Sequence, residues 1–324
     1  TTREDIEFHN VSEAQVPTLQ ARLAEVGLTG RGACGDTLRN LTVCPCSGVL
    51  AGSVDLHPLA QQLEAAILAF EGIYAMPRKF KITLACGDGC GRPWINDLGL
   101  IATRNAAGEI GFRVIVAGSL GAKPGTGLLL HEWLAPQDVL PLAMGLIELF
   151  AANGDRENRR KARLRHVRER LGDDAFAALA AEHAAAQNTR TDLPTVAPLE
   201  APGLMGAQAT LTFFAGLVPA DAADAIATLV EDDRLAVRLT VEQSIAVFGP
   251  DSATLNVAIA EVGLSTYARP QATVMTCPGT RWCKLATAST EAMAAAIRDR
   301  VLDRLPAGAT VCISGCANGC SHYG

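Results

Sequence analysis

An internal repeat constrains what this chain can fold into. The stretch TLQARLAEVGLT at 18–29 recurs as TLNVAIAEVGLS at 254–265. Each copy has apolar residues at helical spacing and a closing glycine, which is the pattern of a helix with a C-terminal glycine cap. A Cys-Pro pair follows each helix, and each half then reaches an apolar strand that ends in a C-x3-C turn. Three features in the same order predict two homologous halves that mix helices and strands.

The repeat divides the chain into 1–187, 188–208 and 209–324. The middle segment has prolines and little periodicity, so we interpret it as a linker. Helices are predicted at 136–152 and 156–187, before the linker. The second half opens with a strand–helix–strand pattern that the first half lacks, and the first half continues beyond its C-x3-C turn. We therefore expect the sequence to be part of a longer protein, shortened at both ends.

Charge and hydropathy exclude two classes of partner. The net charge is −6, whereas a general nucleic-acid binder would be basic. The longest apolar candidate for a membrane span, 211–230, is interrupted by Asp221 and Asp224. We expect a cytoplasmic protein that binds neither nucleic acid nor membrane.

Four of the ten cysteines form two close pairs in the second half. Cys277 and Cys283 have C-x5-C spacing, and Cys316 and Cys320 have C-x3-C spacing. Four thiolates in two pairs suit an iron–sulfur cubane or a tetrahedral zinc ion. The C-x5-C loop is wider than the usual zinc knuckle, which favours the cluster, and buried thiols remain the third interpretation.

The first half has cysteines of its own, at Cys34, Cys44, Cys46, Cys86 and Cys90. Cys86 and Cys90 repeat the C-x3-C spacing, so a second cluster stays open. The C-x5-C partner is missing, however, and we interpret this set as mostly structural.

Cationic side chains gather in the first half. Lys79 and Lys81 lie two positions apart in a predicted strand, so they project to one face while Phe80 points to the other. An anion between two ammonium groups would relieve their repulsion. The alternative is a solvated strand edge that carries lysines against aggregation.

At this point the chain resembles the sulfite and nitrite reductase haemoproteins, which bind sirohaem coupled to a [4Fe-4S] cluster. The resemblance rests on TCPGTRWC…ISGCANGC, TTREDIEFH, GDTLRN, PRKFKIT and NRRKARLRHV. It covers nearly the whole chain, and the four-cysteine spacing is its most specific element. It implies an α+β fold of two ferredoxin-like, sulfite-reductase-type halves related by a pseudo-twofold repeat.

The resemblance also implies a role for each group of residues. The implied cluster ligands are Cys277, Cys283, Cys316 and Cys320, and Cys320 would also bridge to the sirohaem iron. The implied substrate-binding cations are Arg39, Lys79 and Lys81. The implied contacts to the sirohaem periphery and carboxylates are Arg3, His9, Asn318, Arg159, Lys161 and Arg163.

Glu4 and Glu7 depart from the family, which usually has glutamine at these positions. Two carboxylates beside an anionic macrocycle would be unfavourable unless they are protonated or turned away.

The function that the resemblance implies is six-electron reduction of sulfite to sulfide, with ferredoxin or a flavoprotein as electron donor. Lys81 favours sulfite, because the plant-type nitrite enzymes resemble RKxN at PRKFKIT. Three alternatives remain: a ferredoxin-dependent nitrite reductase, an enzyme like precorrin-3B synthase, and a zinc-stapled protein without catalysis. The closing GCANGCSHYG leans slightly toward the second of these.

Overall fold

The computed structural model describes residues 1–121, 123–190, 193–196, 198–268 and 272–321. In the first half it has five helices and five strands: α1 (Val16–Glu25), β1 (Thr42–Val43), α2 (His57–Leu68), β2 (Ile82–Ala85), β3 (Leu98–Arg104), β4 (Ile110–Val116), β5 (Leu128–Leu134), α3 (Pro136–Asn153), α4 (Leu164–Leu171) and α5 (Asp173–Gln187).

The five strands form one mixed sheet in the order β1-β2-β3-β4-β5. The first three strands are parallel, with Thr42 paired to Thr83, and the last three are antiparallel. All four residues of β2 are buried, as expected for a central strand covered on both faces. Phe80, just before β2, packs against Phe150 of α3 with ring centroids 6.1 Å apart. This core fixes the segment that carries the two lysines.

The described part of the second half contains four helices and five strands: β6 (Ala207–Thr212), α6 (Ala220–Val230), β7 (Ala236–Leu239), β8 (Ser244–Gly249), α7 (Ser252–Glu261), β9 (Ala272–Thr276), α8 (Gly279–Trp282), α9 (Thr290–Arg300) and β10 (Ala309–Ile313). An antiparallel sheet has the order β6-β8-β7, and β9 pairs with β10 in parallel. The predicted α+β class is confirmed. No helix in the described residues is long and apolar enough to cross a membrane.

The repeat in the sequence corresponds to a repeat in the topology. The helices α1 and α7 both end near a glycine with positive φ, 74° at Gly27 and 76° at Gly263, a conformation that glycine adopts without steric cost. A parallel strand pair follows each helix, β1 with β2 and β9 with β10. A Cys-Pro pair follows the first strand of each pair and a C-x3-C turn follows the second.

The helix expected at 156–187 is wrong over its first part, because α4 begins only at Leu164. The Asp155 carboxylate accepts hydrogen bonds from the backbone N–H groups of Glu157 and Asn158, at 3.0 and 2.8 Å. Side-chain bonds of this kind compete with helical backbone bonds and favour turns.

The proline-containing segment between the halves is hydrogen-bonded to the first half. The backbone N–H of Asp55 donates to the Glu200 carbonyl at 2.7 Å, and that of Ala51 to the Met205 carbonyl at 3.0 Å. Residues 191, 192 and 197 of this segment lie outside the described part of the chain.

Gly145 provides a test of the packing of α3 against α5. A Cβ atom at this position would lie 2.6 Å from the backbone nitrogen of Ala184, and the backbone cannot yield as a flexible side chain could. We expect Gly145→Ala to lower the free energy of unfolding by about 1–3 kcal/mol despite alanine's higher helix propensity. Urea denaturation measures this, with Gly30→Ala as control because no atom lies within 4 Å of a Cβ there. An equal loss from both variants would contradict the close packing.

Candidate active site

A cavity of about 2290 Å³ lies between the two halves. It is larger than the roughly 300–1,000 Å³ of ordinary small-molecule pockets, and therefore has room for a macrocyclic cofactor. Twelve of the thirteen residues that the sequence singled out for a site line it: Arg3, Arg39, Lys79, Lys81, Arg159, Lys161, Arg163, Cys277, Cys283, Cys316, Asn318 and Cys320.

Lys79 and Lys81 both line the cavity, whereas Phe80 between them is completely buried in the core. Burial lowers the pKa of Lys81 well below its ordinary value, and the positive charges of Arg3, Arg163 and Lys79 lower that pKa further. The pKa of Lys79 is lowered for the same reason, burial first. The cavity wall therefore concentrates positive charge without enough anionic partners, which suits an anionic ligand.

Asp97 holds this wall together, and sequence reasoning missed it. Its carboxylate is 0% exposed and accepts bonds from Arg163 Nη2 and from the Lys81 backbone N–H, each at 2.8 Å. A buried carboxylate is tolerated when it is paired in this way. The available signal was a lone aspartate directly before an apolar strand, in WINDLGL.

Two of the arginines already donate to backbone oxygens of the protein. Arg39 donates to the carbonyls of Gly32 and Gly35, at 3.1 and 2.8 Å. Arg3 donates to the carbonyls of Asn40 and Ile82, and to the side chain of Asn96. Both guanidinium groups thus fix the loops that carry them while they line the cavity.

The expected helix-face cations have different environments. Arg159 forms a 2.7 Å ion pair with Asp36, which also pairs with Arg78. These arginines lower the pKa of the Asp36 carboxyl.

His9 is absent from the cavity lining, and its ring stacks on that of Trp282, next to Cys283, with centroids 4.6 Å apart.

The four second-half cysteines line the same cavity. The backbone N–H of Gly315 donates to Cys277 Sγ at 3.1 Å, a contact that stabilises a thiolate ligand. Burial raises the pKa of Cys320, while Lys79 and Lys81 lower it, so the lysines of one half lie near a thiol of the other. A set of four soft sulfur donors fits an iron–sulfur cluster. In the described residues, no three His, Cys, Asp or Glu side chains are arranged to hold a single metal ion.

Glu4 also lines the cavity, and the structure shows how it is accommodated. Its Oε2 accepts a 2.8 Å bond from the Val43 backbone N–H, and its buried Oε1 has no partner. Burial raises the pKa of this carboxyl from 4.5 to about 8, against the Val43 bond and the Arg3 charge. The protonated form is thus favoured at neutral pH, which avoids a second anion beside an anionic cofactor.

Residues 34–188 match the family model described as the nitrite and sulphite reductase 4Fe-4S domain. The ferredoxin–nitrite reductase of Synechococcus elongatus is 29% identical over 99% of this chain and 67% of its own. The sulfite reductase [NADPH] hemoprotein beta-component of Acidithiobacillus ferrooxidans is 28% identical over 99% of this chain and 66% of its own. Residues 34–188 thus carry a nitrite and sulphite reductase 4Fe-4S domain, and relatives named as nitrite and sulfite reductases match nearly the whole chain.

Two further comparisons show how much of this chain and of its relatives the similarity covers. The assimilatory ferredoxin-dependent nitrite reductase of Haloferax mediterranei is 36% identical over 51% of this chain but only 29% of its own. The NirA protein of Mycobacterium tuberculosis shares the fold, with a TM-score of 0.77 and 22% identity over 99% of this chain and 62% of that one. The chain thus spans about two thirds or less of the length of these relatives.

The family confirms the expected cofactors, sirohaem and a [4Fe-4S] cluster, at the level of the family. The matched residues 34–188 include Arg39, Lys79 and Lys81, but none of the four second-half cysteines. The assignment of those cysteines therefore stays a prediction, carried by their spacing and their shared cavity wall.

The raised pKa of Glu4 predicts that the stability of the protein depends on pH. Between pH 4.5 and 8 the folded protein keeps a proton that the unfolded chain has released, so its stability falls as the pH rises through this window. Glutamine cannot titrate. The difference in free energy of unfolding between Glu4→Gln and the unsubstituted protein should therefore change with pH. From pH 5 to pH 8.5 it should shift in favour of Glu4→Gln by on the order of 1 kcal/mol or more.

Urea denaturation at pH 5 and at pH 8.5 measures this difference. Glu7→Gln is the control, since it removes an exposed carboxylate from the same segment. A difference between Glu4→Gln and the unsubstituted protein that stays constant with pH would contradict the buried, protonated carboxyl.

Proposed function

We propose that the complete protein reduces sulfite to sulfide in a six-electron reaction, using sirohaem coupled to a [4Fe-4S] cluster. One observation carries the proposal: Lys79 and Lys81 of the first half and Cys320 of the second half line one cavity and interact electrostatically. This arrangement supports an anion site beside a thiolate ligand, which reduction of an oxyanion would require.

The four second-half cysteines would hold the cluster, and Cys320 would also bind the haem iron. These cofactors would supply single low-potential electrons when bound. The protein provides the surroundings: the Gly315 N–H stabilises the Cys277 sulfur, and Asp97 fixes Arg163 and the Lys81 backbone around the cavity. Arg159, Lys161 and Asn318 line the cavity and would be the partners of the cofactor carboxylates.

The lysines would both bind the substrate anion and donate protons to its departing oxygens. A lysine whose pKa is lowered toward the working pH is a better proton donor than one with an ordinary pKa. An anion bound between the two ammonium groups stabilises their charged forms, so substrate binding would load them with the protons that the reaction consumes.

Sulfite is favoured by the second lysine, because a dianion gains more than a monoanion from an additional positive charge. Nitrite is the second candidate, and it is favoured by the names of the relatives, several of which are nitrite reductases. The same names suggest ferredoxin as the electron donor. A cytoplasmic location fits a soluble donor of this kind.

Lys81 gives the test of substrate choice. A charge-assisted hydrogen bond in a shielded site contributes roughly 1.5–3 kcal/mol, about one to two decades in affinity. In the complete enzyme, Lys81→Asn should lower the ratio of kcat/KM for sulfite to that for nitrite at least about tenfold. Steady-state kinetics with both anions measures this.

Lys284→Asn is a matched control, because Lys284 follows Cys283 and does not line the cavity. An equal fall of both activities in Lys81→Asn would make Lys81 a general proton donor. If neither activity changes, the case for sulfite over nitrite is wrong.

A further inference from the structure

Four first-half cysteines lie together outside the cavity described above: Cys44, Cys46, Cys86 and Cys90. None of them has a part in the proposed reaction. They lie at the carboxyl ends of β1 and β2, two parallel neighbours in the five-stranded sheet. Because adjacent parallel strands end at the same edge of a sheet, these thiols are brought to one place.

The Cys44 thiol is the centre of the group. It is only 2% exposed. The thiols of Cys86, Cys90 and Cys46, and the backbone of Cys46 and Cys86, lie close enough to the Cys44 sulfur to influence its protonation. Three further sulfurs therefore surround the buried Cys44 sulfur.

The other three thiols of the group make only weak contacts with the rest of the protein. Cys86 donates to the Val54 carbonyl at 3.7 Å, Cys90 to the Gly87 carbonyl at 3.6 Å, and Cys46 to Gln208 Oε1 at 3.7 Å. These are long contacts to a weak donor, so little is lost when the thiols turn toward a ligand. Cys90 also packs against apolar Ile101 and Ile115, which limit the access of water.

The second half has the same arrangement around its predicted cluster ligands. The backbone N–H of Cys44 donates to Leu84 of the neighbouring strand at 2.8 Å, and that of Cys277 donates to Ile313 at 3.1 Å. The C-x3-C turn begins two residues after Leu84 and three residues after Ile313. Cys44, Cys86 and Cys90 therefore occupy the positions of Cys277, Cys316 and Cys320, except that the connection from the strand to the C-x3-C turn is one residue shorter in the first half.

We propose that Cys44, Cys46, Cys86 and Cys90 bind a second iron–sulfur cluster. Four thiolates are the ligand set of a cubane, and Cys46 provides the fourth in place of the missing C-x5-C partner. Binding releases the four thiol protons and changes no oxidation state of the protein. A cubane is larger than one ion, so its ligands stand further apart than those of the single-ion sites that the described residues lack.

The comparison between the halves rests on the proposed function, because it takes Cys277, Cys316 and Cys320 as cluster ligands. The four first-half thiols do not depend on that assignment. The test is metal and acid-labile sulfide analysis of the full chain, produced and purified without oxygen. Compared with the unsubstituted protein, Cys44→Ser and Cys316→Ser should each retain about half of the iron and sulfide. The double variant should retain almost none.

Two controls make the result specific. Cys312→Ser removes a half-buried thiol of β10 that belongs to neither group, and it should retain the full iron content. Cys86→Ser, at a less buried position than Cys44, should reproduce the loss of Cys44→Ser if the latter folds poorly. Circular dichroism establishes folding for each variant.

The outcomes separate the two proposals. Full iron in both Cys44→Ser and Cys86→Ser would overturn the second cluster while leaving the proposed function intact. Half of the iron in those two variants, with full iron in Cys316→Ser, would support the second cluster and overturn the second-half ligand assignment. Zinc without sulfide, or a disulfide without metal, at the first-half cysteines would overturn the second cluster as well.

Discussion

The buried ion pair between Asp97 and Arg163 is the interaction on which the cavity depends. In the described residues Asp97 is the only Asp or Glu that is buried as a whole residue, and it lies behind a cavity wall that gathers Arg3, Lys81 and Arg163. Breaking such a pair leaves an uncompensated buried charge, at a cost of roughly 3–5 kcal/mol. Because Asp97 also accepts from the Lys81 backbone, it fixes the direction in which that lysine leaves the chain. The single Asp97 carboxylate thus stabilises the cluster of cations, but its one negative charge is too small to cancel their positive charge.

Much of this arrangement could be predicted from the sequence, because it follows from local patterns. The helix and glycine of each repeat, and the opposite directions of Phe80 and Lys81, follow from periodicities of 3.6 and 2. The contacts that complete the site do not follow from such local periodicities. The bonds of Arg39 to the Gly32 and Gly35 carbonyls join neighbours in the sequence, but only the folded loop brings them into range. The turn at Asp155 replaced a helix because side-chain oxygens competed for the backbone N–H groups.

The two halves share a topology but present different chemistry to the cavity. The first half contributes the cations at the start of β2, and the second contributes thiols after β9 and β10. A duplicated unit can diverge in this way because the strand pairing, which sets the fold, leaves the residues at the strand ends free to change. The first half nevertheless keeps cysteines at the corresponding strand ends, so its divergence from the second half is incomplete.

Residues 1–10 touch parts of the second half that are synthesised much later. Thr2 Oγ1 donates to the Cys320 carbonyl, 318 positions away, and the His9 ring stacks on Trp282. Arg3 meanwhile attaches the same segment to β2 of the first half. During translation the first half can form its sheet early, but the cavity cannot close until the ribosome has released the C-x3-C turn of the second half. A cofactor that occupies this cavity could therefore bind only after the C-x3-C turn of the second half has been synthesised and has met the first half.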